Sequence, residues 1–134
     1  MLGLNLSADH KMEVRLAEVR VMYWKEIPVQ VQAKDRDGQV TRQLASRFQE
    51  AADAIAMFDG SAGSDAYLEA WGYGPFFEVE GAAATVADRV AAQFNENMPD
   101  DFVARIRDLQ RSGKRNPSAG AIDEWAGVET PSGR

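Results

Sequence analysis

The chain has 134 residues, 45% of them hydrophobic and 27% charged, which is the composition of one globular domain large enough to bury a core without staples. Its 15 Lys and Arg face 21 Asp and Glu, so the net charge of −6 opposes phosphate backbones and nucleic acid is not an expected partner. There is no cysteine and one histidine, His10, which excludes disulfides, thiolate catalysis, zinc–thiolate and iron–sulfur sites, and the familiar hydrolase triads.

The absence of cysteine fits a reducing cytosol, and a cytoplasmic location is expected. No run approaches the ~20 apolar residues that span a bilayer, so a membrane is not an expected partner. The glycines at 60–63 and 72–74 lack the spacing of a phosphate loop, and no cofactor is expected.

Residues 1–12 lack periodicity and read as a flexible leader. From Glu13 the side chains alternate, with a phase slip at Ala17-Glu18 that predicts a bulge or a strand starting near Ala17. Val19, Val21 and Tyr23 then share one face, with Arg20, Met22 and Trp24 on the other. Apolar bulk on both faces predicts a strand inside the sheet. Pro28 has no amide hydrogen and belongs at a strand start or a sheet edge. Val29, Val31 and Ala33 alternate with Gln30, Gln32 and Lys34, the turn Asp35-Arg36-Asp37-Gly38 follows, and Gln39–Leu44 returns as the second arm of a hairpin.

Ser46 is placed to cap a helix whose apolar positions are Phe48, Ala51, Ala52 and Ile55, and the glycines from Gly60 end it. Ser64 is placed to cap a shorter helix, Asp65 to Trp71, with Leu68 and Trp71 facing inward. Gly72-Tyr73-Gly74-Pro75 breaks the chain, and Phe76–Glu80 reads as a short strand. A third helix runs from about Ala83 to Phe94 on Val86, Val90 and Phe94; a fourth opens at Pro99 with Asp100 and Asp101 and buries Phe102, Val103, Ile106 and Leu109. These elements make an α+β domain over residues 13–112, a three- to four-stranded, mainly antiparallel sheet with about four helices packed on one face. Residues 113–134 are rich in Lys, Asn, Pro, Ser and Gly and predict a disordered tail, with Ile122 and Trp125, three apart, as the one apolar pair that could dock.

Three stretches carry candidate chemistry. Tyr23, Trp24, Lys25 and Glu26 put two aromatics, a cation and an anion at a strand end, which suits a recognition patch, although packing on opposite sheet faces explains the two rings as well. Ser64, Asp65 and Tyr67 form a helix start that could hold an anion or an amine, or simply a capped helix. Glu78 and Glu80 share a strand face without a third metal ligand nearby, and Arg105, Arg107, Arg111, Lys114 and Arg115 form a basic helix end without interleaved aromatics; both read as solvated surface.

A longer pattern runs through these pieces: Tyr23-Trp24-Lys25-Glu26-Ile27-Pro28-x-Gln30-Val31-x-Ala33, then Arg47-Phe48-Gln49-Glu50-Ala51-x-Asp53, Ala56-Met57, Gly63-Ser64-Asp65-Ala66-Tyr67-Leu68-Glu69-x-Trp71 and Glu78-Val79-Glu80-Gly81. Over about residues 18–110 it resembles the small bacterial "virulence factor" domain, which also ends longer conserved virulence factor C-type proteins. The family has no established catalytic residues to carry over. In some bacteria stand-alone members sit near genes of folate and corrinoid one-carbon metabolism, so the resemblance implies an accessory role there. The expected function is therefore a non-catalytic binding or accessory protein with a protein partner, using Tyr23, Trp24 and Lys25. The alternative is a small-ligand binder or enzyme with a pocket around Arg47, Asp65 and Tyr67.

Overall fold

In the computed structural model, which describes residues 15–130, the sheet grows outward from β1 (Leu16–Trp24). On one side β1 pairs antiparallel with β2 (Ile27–Asp35), and β2 with β3 (Gly38–Gln43). On the other side lie β4 (Trp71–Tyr73) and β5 (Phe77–Glu80), also antiparallel to β1. The helices are α1 (Ser46–Asp59), α2 (Asp65–Glu69), α3 (Ala83–Asn97) and α4 (Phe102–Arg111), followed by a single 3-10 turn at Asp123–Ala126. The class is α+β with an antiparallel sheet, as expected. The additional strand is β4, formed where Gly72, Gly74 and Pro75 read as a break. Its pairing of Trp71 with Trp24 and Tyr73 with Met22 overrides the poor strand propensity of glycine.

The alternation along β1 decides which face is covered. Ala17, Val19, Val21 and Tyr23 are buried, while Leu16 and Glu18 are exposed. Across the ladder Val21 meets Val31, Val19 meets Ala33, and Ala17 meets Val79, so one apolar face runs over three strands. The phase slip at Ala17-Glu18 marks the start of the strand, since β1 begins at Leu16; the ladder's register shift lies between Met22 and Tyr23, where the partner steps from Gln30 to Pro28. Pro28 falls beyond the last β3 pair, Gln30 with Gln43, so its missing amide hydrogen breaks no bond on that side.

Helix α3 lies over β1, β2 and β3 and buries Val86, Ala87, Ala91 and Phe94. Asp35, from the end of β2, accepts the amide hydrogen of Ala83 at 2.9 Å, which caps α3 from across the chain. Helix α1 buries Phe48, Ala51, Ala52, Ile55 and Ala56 against β2 and α4, with Phe48 and Phe102 ring centroids 5.4 Å apart. Full burial of each such Phe contributes about 1.5–3 kcal/mol. Neither predicted serine caps its helix through its side chain: Ala45 precedes α1, and the Ser64 hydroxyl donates to the Ser61 carbonyl. Helix α2 stops at Glu69, which leaves Leu68 68% exposed rather than facing inward.

The largest departure lies beyond α4. Residues 115–130 do not run free as a disordered tail but return across the hairpin end of β1. Ile122, Ala126 and Val128 are buried, and the 3-10 turn packs on α3. Polar and glycine-rich composition understates this segment because its anchors are few and spaced: one arginine, one aspartate and three small apolar side chains. The domain therefore does not end at residue 112. The leader at 1–12 and residues 131–134 lie outside the described residues.

Candidate functional site

The turn between β1 and β2 is two residues long, and Lys25 adopts φ +50° there, the only positive φ outside glycine among the described residues. That turn places Lys25 and Glu26 at one end of the sheet, beside Tyr23 and Trp24. Trp24 is fully buried; its indole Nε1 donates to the Tyr67 carbonyl at 2.9 Å, and the two rings lie 5.6 Å apart. Tyr67 in turn meets Trp71 edge-on at 6.1 Å. Trp24 is thus a packing residue with its one donor satisfied, and it is withdrawn from any exposed recognition patch.

Beside it lies a closed set of charges. The Arg115 guanidinium donates to both Glu26 oxygens, at 2.7 and 2.8 Å, and to Asp59 Oδ2 at 3.0 Å. The Lys25 ammonium reaches the same Asp59 oxygen at 2.7 Å. The side chains of Arg115, Glu26 and Asp59 are only 6%, 1% and 4% exposed, so the pairing is a buried one. Burial alone would raise the Asp59 carboxyl, but the bonds from Lys25, Ser61 and Arg115 outweigh it and hold it at about 2. Burial would likewise lower the Arg115 guanidinium, and its bonds to Glu26 and Asp59 raise it instead.

The third feature joins Tyr23 to the returning segment. The Tyr23 hydroxyl donates to Asp123 Oδ2 at 2.5 Å, and the Thr130 hydroxyl donates to the same oxygen. Asp123 is 2% exposed, and its other oxygen, Oδ1, is buried with no hydrogen-bond partner among the described residues. Burial pushes the Asp123 carboxyl up. Burial and then the Asp123 charge push the Tyr23 phenol up as well. Asp123 lines a cleft of about 450 Å³ together with Asn116, Ser118, Glu124, Glu129 and Thr130. A second cleft of about 420 Å³ is lined by Tyr23, Lys25, Glu69, Tyr73 and Pro117.

The predicted site residues do not converge. Tyr23, Trp24 and Lys25 sit together, but each is tied to the protein's own groups. Arg47 donates to the carbonyls of Asn95 and Met98, both at 3.0 Å, where it closes the C-terminal end of α3. Tyr67 donates its hydroxyl to Asp53 at 2.8 Å, a bond that raises its phenol. Arg47 and Asp53 are six residues apart on α1, about 9 Å along the axis and about 120° around it, so a pocket shared by Arg47 and Tyr67 is not formed. Asp65 is exposed at the first turn of the short α2.

Of the residues that do assemble, Glu26 lies in the Tyr23–Pro28 stretch, whereas Asp59, Arg115, Asp123 and Thr130 carry no local motif. Arg115 reads as the solvated end of a basic helix, and only the apolar pair Ile122 and Trp125 hints at docking; Ile122 is buried and Trp125 is half-buried under Arg105. Among the described residues no group of His, Asp and Glu is arranged to hold a metal ion, and no helix is long and apolar enough to cross a membrane.

No curated protein and no solved structure matches the chain. The family model described as "Virulence factor" matches residues 22–107. Tyr23, Glu26 and Asp59 lie inside that match, whereas Arg115, Asp123 and Thr130 lie beyond it. A match over well more than half of the residues, on a pattern running from the central strand through α4, places the chain in the virulence factor family.

Proposed function

We propose that the chain is a non-catalytic binding module whose groove, at the hairpin end of β1, receives an arginine-bearing segment of a protein partner. The observation that carries this reading is the two-pronged bond of Arg115 to the buried Glu26, 89 positions apart in sequence. The family-matched part of the chain supplies the acceptors Glu26 and Asp59 and the donor Tyr23. The segment after it supplies the arginine, the aspartate and the apolar plugs Ile122, Ala126 and Val128. Residues 115–128 thus lie on the domain as a peptide ligand would, with a charged anchor at one end and small apolar anchors at the other. In this chain the groove is filled in cis; a partner with a similar segment fills it when the chain's own segment lets go.

A binding role also agrees with the chemistry of the groups gathered there. A general acid or base works best with its pKa near the operating pH. Asp59 is held at about 2, and the Tyr23 phenol is moved further above its ordinary range.

The test is a fluorescent peptide of residues 113–130 added to the wild-type chain and to Arg115→Ala. The variant loosens its own segment and leaves Glu26 in need of a cation, so it should bind the peptide at least ~10-fold more tightly than the wild type and melt higher in its presence. A peptide carrying the same Arg115→Ala change should give neither effect. If Arg115→Ala stays folded by circular dichroism and takes up no peptide, the groove reading is wrong.

A further inference from the structure

We propose that the open face of the sheet is a docking surface for a segment of a protein partner, which presents one carboxylate side chain to Arg20 and an adjacent apolar side chain to Tyr73 and Phe76. Val19, Val21 and Val31 are buried on the helix-covered face. Arg20, Met22 and Gln30 alternate with them and stay partly exposed on the other. There Arg20 stands opposite Gln32, and Tyr73 stands opposite Met22 on the next rung.

The Arg20 guanidinium is held in place. Its Nε donates to Gln32 Oε1 at 2.9 Å, and its carbon lies 3.7 Å from the Tyr73 ring centroid and 4.8 Å from that of Phe76. Gln32, only 8% exposed, uses both ends of its amide. An arginine N–H can only donate, so the end facing Arg20 is the oxygen; the other end, Nε2, donates to the Tyr73 hydroxyl at 3.1 Å. The Tyr73 oxygen is thereby an acceptor, and its own hydrogen is free to donate. Both rings stay open to a partner, Tyr73 at 46% and Phe76 at 39% exposed.

Arg20 also lacks an anion. Lys34 takes Glu18 at 3.6 Å, and no carboxylate pairs with Arg20 among the described residues. Its Nη1 and Nη2 have no hydrogen-bond partner there, and neither is among the buried unpaired atoms, so both reach solvent. A guanidinium fixed by its Nε, with its two-nitrogen edge free, fits a planar carboxylate, and little side-chain freedom remains to be lost on binding. Exposed Tyr and Arg beside each other are the residue types that dominate interface energetics.

Shape and charge choose the occupant. Small molecules are held in concave sites, whereas these groups stand on an open sheet face, which suits a chain segment. Exposed rings on such a face could also stack bases. Glu18 and Glu78, opposite one another on β1 and β5, repel a phosphate chain but leave room for one carboxylate at Arg20.

The experiment is an amide NMR titration of the full chain at constant ionic strength. The probes are acetyl-Leu-Glu-Leu-amide, its Gln and Lys counterparts, and single-stranded hexauridylate. The Glu peptide should shift the amides of Arg20, Gln32 and Tyr73 saturably, and the Gln and Lys peptides should bind at least ~10-fold more weakly. Arg20→Lys keeps the charge but loses the fork and the stack, and should weaken the Glu peptide at least ~10-fold; Phe76→Ala should weaken it several-fold. Both variants change side chains outside the buried core, and the remaining amide spectrum verifies the fold. Equal binding of the Glu and Gln peptides would reduce the face to an apolar patch and overturn the proposal. So would an absence of saturable shifts, unchanged affinity in Arg20→Lys, or tighter binding of hexauridylate than of the Glu peptide. No hydrogen bond joins Arg20, Gln32 or Tyr73 to residues 115–130 among the described residues, so none of these results decides the groove experiment.

Discussion

Arg115→Ala is the perturbation on which the architecture of the returning segment turns. The side chain is 6% exposed, and Glu26, which it bonds through both oxygens, is 1% exposed. Asp59 keeps the Lys25 ammonium after the change, but Glu26 has no other charged partner among the described residues. Removing one member of a buried pair strands the other's charge, at a cost of about 3–5 kcal/mol. Against a total stability of ~5–15 kcal/mol for a domain of ordinary size, that is a large share. Urea unfolding at neutral pH, followed by circular dichroism, should show the loss as a lower midpoint with little change in slope. Adding Glu26→Gln to Arg115→Ala should recover part of it, because the stranded charge is gone, and the double-mutant cycle should give a coupling of at least ~2 kcal/mol. A single variant within about 0.5 kcal/mol of the wild type would mean that Glu26 is solvated and that residues 115–130 do not pack on the hairpin end of β1.

Two further outcomes follow from the same end of the molecule. Tyr23→Phe removes one of two donors to Asp123 Oδ2 and should cost about 1–3 kcal/mol, read locally as faster hydrogen exchange at the Val128 amide, which bonds the Asp123 carbonyl. Asp59 is held at about 2 when folded against an ordinary carboxyl value of 3.8, so its contribution is present above about pH 4 and is lost as pH falls towards 2; on the order of 2 kcal/mol should disappear over that window, and Asp59→Asn should flatten the slope there.

Much of the layout was legible from residue order. Period-two alternation in Val19, Val21 and Tyr23 and in Val29 to Ala33 marked the central hairpin, and four-residue spacing in α1 and α3 marked the helices that cover it. The missed strand β4 was invisible because it is three residues long with Gly72 at its centre, next to Gly74 and Pro75; its partner on β1 creates it. The candidate site was legible only at Tyr23, Lys25 and Glu26. Arg47, Asp65 and Tyr67 read as a cluster because they are polar and close in a family-like pattern, but helix geometry points Arg47 at the end of α3 and Tyr67 at Asp53.

By itself, then, the sequence determined the class, the positions of the principal elements and membership of a family, since these rest on periodicities of two to four residues and on an ordered string of side chains. Tertiary structure alone decided that Trp24 is interior, that Glu26 pairs with Arg115, and that Asp123 meets Tyr23 across 100 residues. The physical reason is the range of the interactions. Local pattern reports which side of an element is apolar, whereas a buried charge or hydroxyl is tolerated only if a specific partner arrives from elsewhere in the chain, and nothing in the residues beside it says which one will.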